Sequence, residues 1–379
     1  MQVKALQVKE FRERQAVERL KPIWQALQEA ATDITPFQTW EWNEAWWRHL
    51  GTKRRARVLV FYDNGEPVAL APLCVGRYLG TPLRRLEWIG TGSSDYLGFL
   101  ALPGHEKNVA KALLNHLRTS LDGWNIADLQ QLPSHSPLLD QTVLPTVVGI
   151  QPIEPCPYLP LPSRWEALTA RLGKKMRFNI GYYARLLQRT FPDTAFLIAT
   201  QETLDESMEA LFALHQRRWN AKWLPGVFGS RRVQAFHKEV ASRFLERGWL
   251  RLHVLRADGN IQAVVYCFAF RNKTYYYQAG FAPEYARYSP GTILVAQAIR
   301  QAIEEGHVEF DFLRGQEPYK YRWQPEERWN RRLLLLQTHG SVWEKATLAG
   351  RIGFALNRLE RFVESRVKAG LQKKGEASS

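Results

Sequence analysis

Cysteine is scarce in this chain: Cys74, Cys156 and Cys267 are the only three in 379 residues, and no two of them form a C-x-x-C pair. That spacing fits buried free thiols in a reducing compartment better than a disulfide framework or a thiolate zinc site. Long apolar runs are also missing. Ile261 to Phe270 is only strand-length, far short of the roughly 20 residues that span a bilayer. The start, Met1-Gln-Val-Lys-Ala-Leu-Gln-Val-Lys-Glu10, breaks each apolar patch with charge and has no hydrophobic region of signal-peptide type, so the expectation is a cytoplasmic protein, at most peripheral to the inner face of a membrane. There is no P-loop, no Gly-x-Ser-x-Gly elbow around Ser93-Ser-Asp-Tyr96, and no His/Asp/Glu spacing that suggests a metal.

Acidic residues are the other deficit, with 37 Asp and Glu against 52 Lys and Arg. The resulting charge of +15 and pI near 9.8 give a field that attracts phosphates, whether on a nucleotide-like cofactor, an acidic glycan, a nucleic acid or an anionic membrane. What is abundant is core material. The chain is 45% hydrophobic and carries 14 tryptophans, and its length exceeds one ordinary domain, so two domains are expected.

Residues 1–150 read as a mixed α/β half. A strand-like patch and helices up to Gly51 precede a hairpin turned by Asp63-Asn-Gly-Glu66, further strands, a helix from about Glu106 and a strand near Ile126. Residues 151–162 form a proline-dense connector, which with six prolines between Leu144 and Pro162 reads as a linker or at best an edge strand. The second half, 163–340, opens at Ser163-Arg-Trp-Glu166, a capping-box spacing before a long basic helix closed by Pro192. Two more helices lead to three strands joined by tight turns, then a helix from about Thr292 and strands at Val308 to Leu313 and near Arg332 to Thr338. The tail, 341–379, spaces Leu348, Ile352, Leu356 and Leu359 helically among basic residues. It is either a packing helix or a basic amphipathic helix at a membrane surface.

Between the hairpin strands and the next helix lies Tyr288-Ser-Pro-Gly-Thr-Ile-Leu294. On its own Ser-Pro-Gly is a tight turn with Ser289 or Thr292 capping a helix, and Pro290 offers no N–H. In context, that turn, the helix and then Gly306-His-Val-Glu-Phe-Asp-Phe-Leu-Arg-Gly-Gln-Glu-Pro-Tyr-Lys-Tyr-Arg-Trp323 resemble the signature of the CelD-like acetyltransferases, GNAT-superfamily proteins related to the Fem peptidyltransferases. The resemblance extends upstream through His215-Gln-Arg-Arg-Trp219 and Phe236-His237, and more faintly to Phe37-Gln-Thr-Trp40 and Ser94-Asp-Tyr96.

The resemblance implies an α/β (α+β) fold of tandem GNAT-like domains with mixed, mostly antiparallel sheets flanked by helices. It also implies transfer of an acyl group from acetyl-CoA or another acyl-CoA to an amine or hydroxyl of a cell-envelope sugar, polysaccharide or related precursor. Ser289, Pro290, Gly291 and Thr292 become the cofactor loop. Lys320 becomes a cation for a phosphate or an oxyanion, with a solvated surface lysine as the alternative. Tyr319 or Tyr321 is placed to protonate a leaving thiolate, and Asp311 serves as a carboxylate near the chemistry or as an anchor for the loop after it. His215, His237 and His307 read as packing elements before they read as bases.

Two further readings stay open: a Fem-like transferase using aminoacyl-tRNA, and a non-catalytic GNAT-like binding protein at a membrane-associated polysaccharide assembly. Gly173 to Arg185 interleaves basic and aromatic residues, but its apolar stripe of Leu172, Met176, Ile180, Tyr183 and Leu187 makes it a core helix with a basic face. No specific nucleic-acid binding is expected.

Overall fold

A computed structural model describes residues 5–78, 82–120, 122–140, 149–220 and 226–336, without the side chains of 218–220. The tail at 341–379 lies outside the described residues. In the first half, β1 (Gln7–Phe11) is followed by α1 (Ala16–Arg19), α2 (Lys21–Ala30) and α3 (Trp40–His49). The meander β2 (Arg55–Asp63), β3 (Glu66–Arg77) and β4 (Arg84–Trp88) comes next, then the short β5 (Leu100–Ala101), α4 (Glu106–Thr119) and β6 (Ile126–Pro133). The β2–β3 turn is the expected one: Asn64 and Gly65 both take positive φ, which matches the twist of the flanking strands.

Next comes β7 (Gly149–Pro160), followed by α5 (Trp165–Arg171), α6 (Lys174–Thr190), β8 (Ala195–Ile198), α7 (Leu204–Asn220) and α8 (Arg231–Glu246). The chain continues with β9 (Leu250–Ala257), β10 (Asn260–Phe270), β11 (Lys273–Phe281), α9 (Pro290–Glu304), β12 (Glu309–Asp311), α10 (Pro318–Tyr321) and β13 (Glu326–Leu336). The long basic helix expected after Ser163 is two helices. Arg164 rather than Ser163 stands at the N-cap of α5, without a side-chain cap, and Leu172 turns extended and buried to separate α5 from α6.

All thirteen strands join one sheet in the order β1-β2-β3-β4-β6-β13-β7-β12-β11-β10-β9-β8, with β5 added on β3. The pairing is antiparallel except at β4–β6 and β11–β12, so the expected mixed, mostly antiparallel α/β architecture is present. The order is palindromic. Each half runs strand, helices, three-strand meander, helix, parallel strand, and each half's last strand is covered by a strand from beyond the other: β13 lies on β6, and β7 lies on β12.

The proline-dense segment is therefore a strand in the middle of the sheet, not a connector or an edge. Proline is tolerated there because β12 stops early. Beyond Tyr158 the neighbouring chain diverges, and the carbonyls of Pro157 and Pro155 accept N–H bonds from Phe312 (2.9 Å) and Gly315 (3.0 Å), with no return bond required from a nitrogen.

The halves share a core. Trp42 of α3 packs edge-on against Phe37 and Phe236 at 5.0 Å and against Phe268 at 5.7 Å, so a first-half helix is buried against α8 and β10. Across the β13–β6 seam Arg332 grips buried Asp128 bidentately, Nε to Oδ1 at 2.7 Å and Nη2 to Oδ2 at 2.8 Å. Replacing one partner of such a buried pair strands the other's charge. Arg332→Leu should lower unfolding free energy by ~3 kcal/mol in denaturant titration, with Arg332→Leu/Asp128→Leu recovering part of the loss.

Candidate active site

The β-bulge in β11 shapes the site. Tyr266 pairs with Gln278 and Cys267 with Tyr276, so Tyr277 is the extra residue, and strand parity changes there. The change brings Tyr276 to the same cavity wall as Ala279 and Phe281, while Tyr277 donates instead to the Ser93 carbonyl in the first half (2.8 Å). Opposite that wall α9 begins. Ser289 adopts the left-handed conformation (φ 49°, ψ 49°), and Pro290 fills the first helical turn, where no N–H is needed.

A cavity of about 240 Å³ lies between β11, the start of α9, Met176 of α6, and Tyr319, Arg322 and Trp323 at and after α10. Ser289, Pro290, Gly291 and Thr292 all line it. Ser289 does not cap α9 with its side chain. Its carbonyl takes the N–H groups of Thr292 (3.0 Å) and Ile293 (3.2 Å), while the Gly291 N–H has no partner among the described residues. The positive end of α9, an uncommitted amide and two hydroxyls are therefore gathered at one rim, a donor set that suits phosphate oxygens. Arg322 stands at the same cavity, exposed and without an ion pair among the described residues. The remaining wall is apolar: Met176, Phe281, Val295 and Trp323.

Among the residues expected to carry chemistry, Tyr319 reaches the cavity, its ring 6.1 Å from that of Tyr276. Lys320 does not line it. Its side chain is buried (3% exposed), and Nζ donates to the carbonyls of Arg314 (2.7 Å), Leu313 (3.2 Å) and Gly315 (3.4 Å) and pairs with Glu317 at 2.9 Å. The ammonium's protons are directed at the loop carbonyls and Glu317, away from the cavity, which is the arrangement of a loop clamp.

Asp311 is likewise turned away. It accepts from the Leu313 N–H (2.8 Å) and from Arg328 (2.6 Å) inside the sheet, where burial pushes its carboxyl up and Arg328 pulls it back. Of the two readings given to Asp311, the loop anchor is the one its contacts match. Tyr321 is exposed, and its hydroxyl donates to Glu327 at 2.5 Å.

His237 is fully buried among aromatic rings and held neutral, its pKa pushed down to about 3 by burial. It packs, as do buried His215 and the partly buried His307, whose Nδ1 lies 2.7 Å from the Thr274 hydroxyl. Cys74, Cys156 and Cys267 are free and buried. Among the described residues no group of His, Cys, Asp and Glu is placed to hold a metal, and no helix is long and apolar enough to cross a membrane.

Sequence reasoning missed Arg322 and Trp323, although both lie in the segment that carries the resemblance. The signal available was helical spacing, since Tyr319 and Arg322 are three residues apart and so share a face.

Residues 174–321 match the acetyltransferase (GNAT) domain. That stretch holds every cavity-lining residue except Arg322 and Trp323, and it bears out the acetyltransferase part of the resemblance. Among curated proteins, none matches the chain.

The chain is similar to a solved structure of FemX, with TM-score 0.61 and 12% identity, covering 83% of this chain and 95% of that one. It is also similar to a conserved protein of unknown function from Bacteroides thetaiotaomicron, with TM-score 0.58 and 11% identity, covering 87% and 100%. A third likeness is to the C-terminal domain of a putative lysylphosphatidylglycerol synthetase from Agrobacterium fabrum, with TM-score 0.52 and 13% identity, covering 89% and 95%. At these identities the likeness is one of fold. It spans both halves, whereas the family match covers the second.

Lys320→Met separates the clamp from a catalytic group. Stranding the loop carbonyls should cost about 3 kcal/mol of stability, read as a fall in Tm, whereas a purely catalytic lysine would leave Tm unchanged.

Proposed function

We propose that the chain transfers an acyl group, acetyl in the first instance, from acyl-CoA bound in the α9–α10 cavity to an amine or hydroxyl of a cell-envelope sugar, polysaccharide or related precursor. The supporting observation is the convergence of Ser289, Gly291, Thr292 and Arg322 on one rim of a cavity whose other walls are apolar. A pyrophosphate would meet the α9 amide and hydroxyls with the Arg322 guanidinium beside them, and a flexible thioester arm would lie along Phe281, Val295 and Trp323. Tyr319, which lines the cavity next to Tyr276, would return a proton to the departing thiolate. The envelope acceptor rests on the CelD-like resemblance.

The competing donor is aminoacyl-tRNA, suggested by the fold likeness to FemX and by the positive charge. Thermal unfolding with acetyl-CoA, free CoA and aminoacylated tRNA in parallel separates the two. Ligand at about a hundred times its Kd adds ~2.7 kcal/mol to stability. Both CoA species should stabilise the protein, and Arg322→Ala should weaken CoA about tenfold, ~1.4 kcal/mol, without moving the ligand-free Tm. Stabilisation by aminoacylated tRNA alone would transfer the reading to the Fem-like donor, and no response to either would remove acyl transfer.

A further inference from the structure

We propose that the outward face of α6 docks the protein on an anionic lipid bilayer. On a helix of 3.6 residues per turn, Lys174, Lys175, Phe178, Tyr182, Arg185 and Arg189 fall within an arc of about 100°. The buried Met176 and Leu187 point the opposite way. All six outward residues are exposed, and Phe178 at 59% and Tyr182 at 37% are among the most exposed large hydrophobic side chains described. Their rings stack on each other, 5.3 Å between centroids and 16° apart in plane, so the helix presents an ordered aromatic ridge with cations on both sides.

None of the four cations makes an ion pair among the described residues, and residues 167–192 contain no Asp or Glu. The ridge is therefore a convex, un-neutralised positive surface with an apolar crest.

An anionic bilayer complements each part of that surface. Lipid phosphates match the flanking lysines and arginines, and aromatic rings settle at the headgroup boundary. A nucleic-acid strand fits less well. Base stacking needs open ring faces in a groove, whereas here the rings face each other on a convex helix. Docking would leave the cavity, whose wall includes Met176 on the inner side of α6, about one helix diameter or ~10 Å behind the lipid surface. The inference stands apart from the choice of acyl donor.

Sedimentation of the full chain with vesicles of phosphatidylcholine, with and without one-third phosphatidylglycerol, tests it. Binding should require phosphatidylglycerol and be lost in high salt. It should fall about tenfold in Phe178→Ser/Tyr182→Ser and also in Lys174→Glu/Arg185→Glu, with Tm unchanged in both because all four side chains are exposed. Absence of phosphatidylglycerol-dependent binding overturns the proposal. So does binding that neither variant weakens, which would assign it to another surface such as the tail, and so does a loss confined to tRNA binding measured on the same variants.

Discussion

Arg328 occupies the point where β13, β12 and the first half meet, and the shape of the α9–α10 cavity follows from what its guanidinium holds. It pairs with Asp311 (2.6 Å) and Glu309 (2.5 Å) of β12, donates to the Tyr96 hydroxyl (3.0 Å), and lies over the Tyr158 ring of β7 at 4.3 Å. Burial alone would weaken such a cation, but Asp311 and its neighbours more than offset that, and the group is held charged. With Asp311 fixed, β12 ends. Leu313 takes a positive φ, Lys320 gathers the carbonyls of residues 313–315, and the short α10 is set so that Tyr319 and Arg322 face α9. Asp311 and Lys320, polar residues of the signature, thus build the wall that carries the cavity.

The palindromic strand order explains why the corresponding region of the first half has taken another task. The β4-to-α4 segment stands where β11-to-α9 stands in the second half, but it faces the junction between the halves. Gly92 and Asp95 engage Arg314, the Ser93 carbonyl accepts from Tyr277, Ser94 takes the Trp42 indole N–H (2.8 Å), and Tyr96 meets Arg328. Ser93-Ser-Asp-Tyr96 is a brace between the halves. Exchange of β7 and β13 makes the same join through the backbone, so neither half closes its sheet without a strand from beyond the other.

Much of this was legible from periodicity and turn chemistry. The Asn-Gly hairpin, the meander before α9, the helix after the Ser-Pro-Gly turn and the apolar stripe of α6 all depend on local rules, and the structure has them, with α9 beginning two residues earlier than expected, at Pro290. The proline-rich strand was misread because β7 borrows its permission for proline from the early end of β12, a nonlocal fact.

The inward turn of Lys320 was hidden for a related reason. A lysine three residues after Glu317 looks solvated or available for chemistry, and only the tight turn at 313–315 turns its ammonium inward. The parity change at Tyr277 has no sequence mark at all, since the bulge appears only in the register between β10 and β11. The turn from Ser289 to Thr292 was picked out through its order among the elements, and it lines the cavity, while the helical partner of Tyr319, Arg322, was passed over.

The central claim is that the start of α9 and the segment from Tyr319 to Trp323 close on one anionic, thioester-bearing donor. Amide hydrogen exchange of the protein with and without a non-reactive CoA analogue examines both walls at once. The account predicts that added protection is concentrated at residues 286–295 and 318–323, with the bulged strand near Tyr276 next. Protection confined to other segments, or none at saturating analogue, would contradict it.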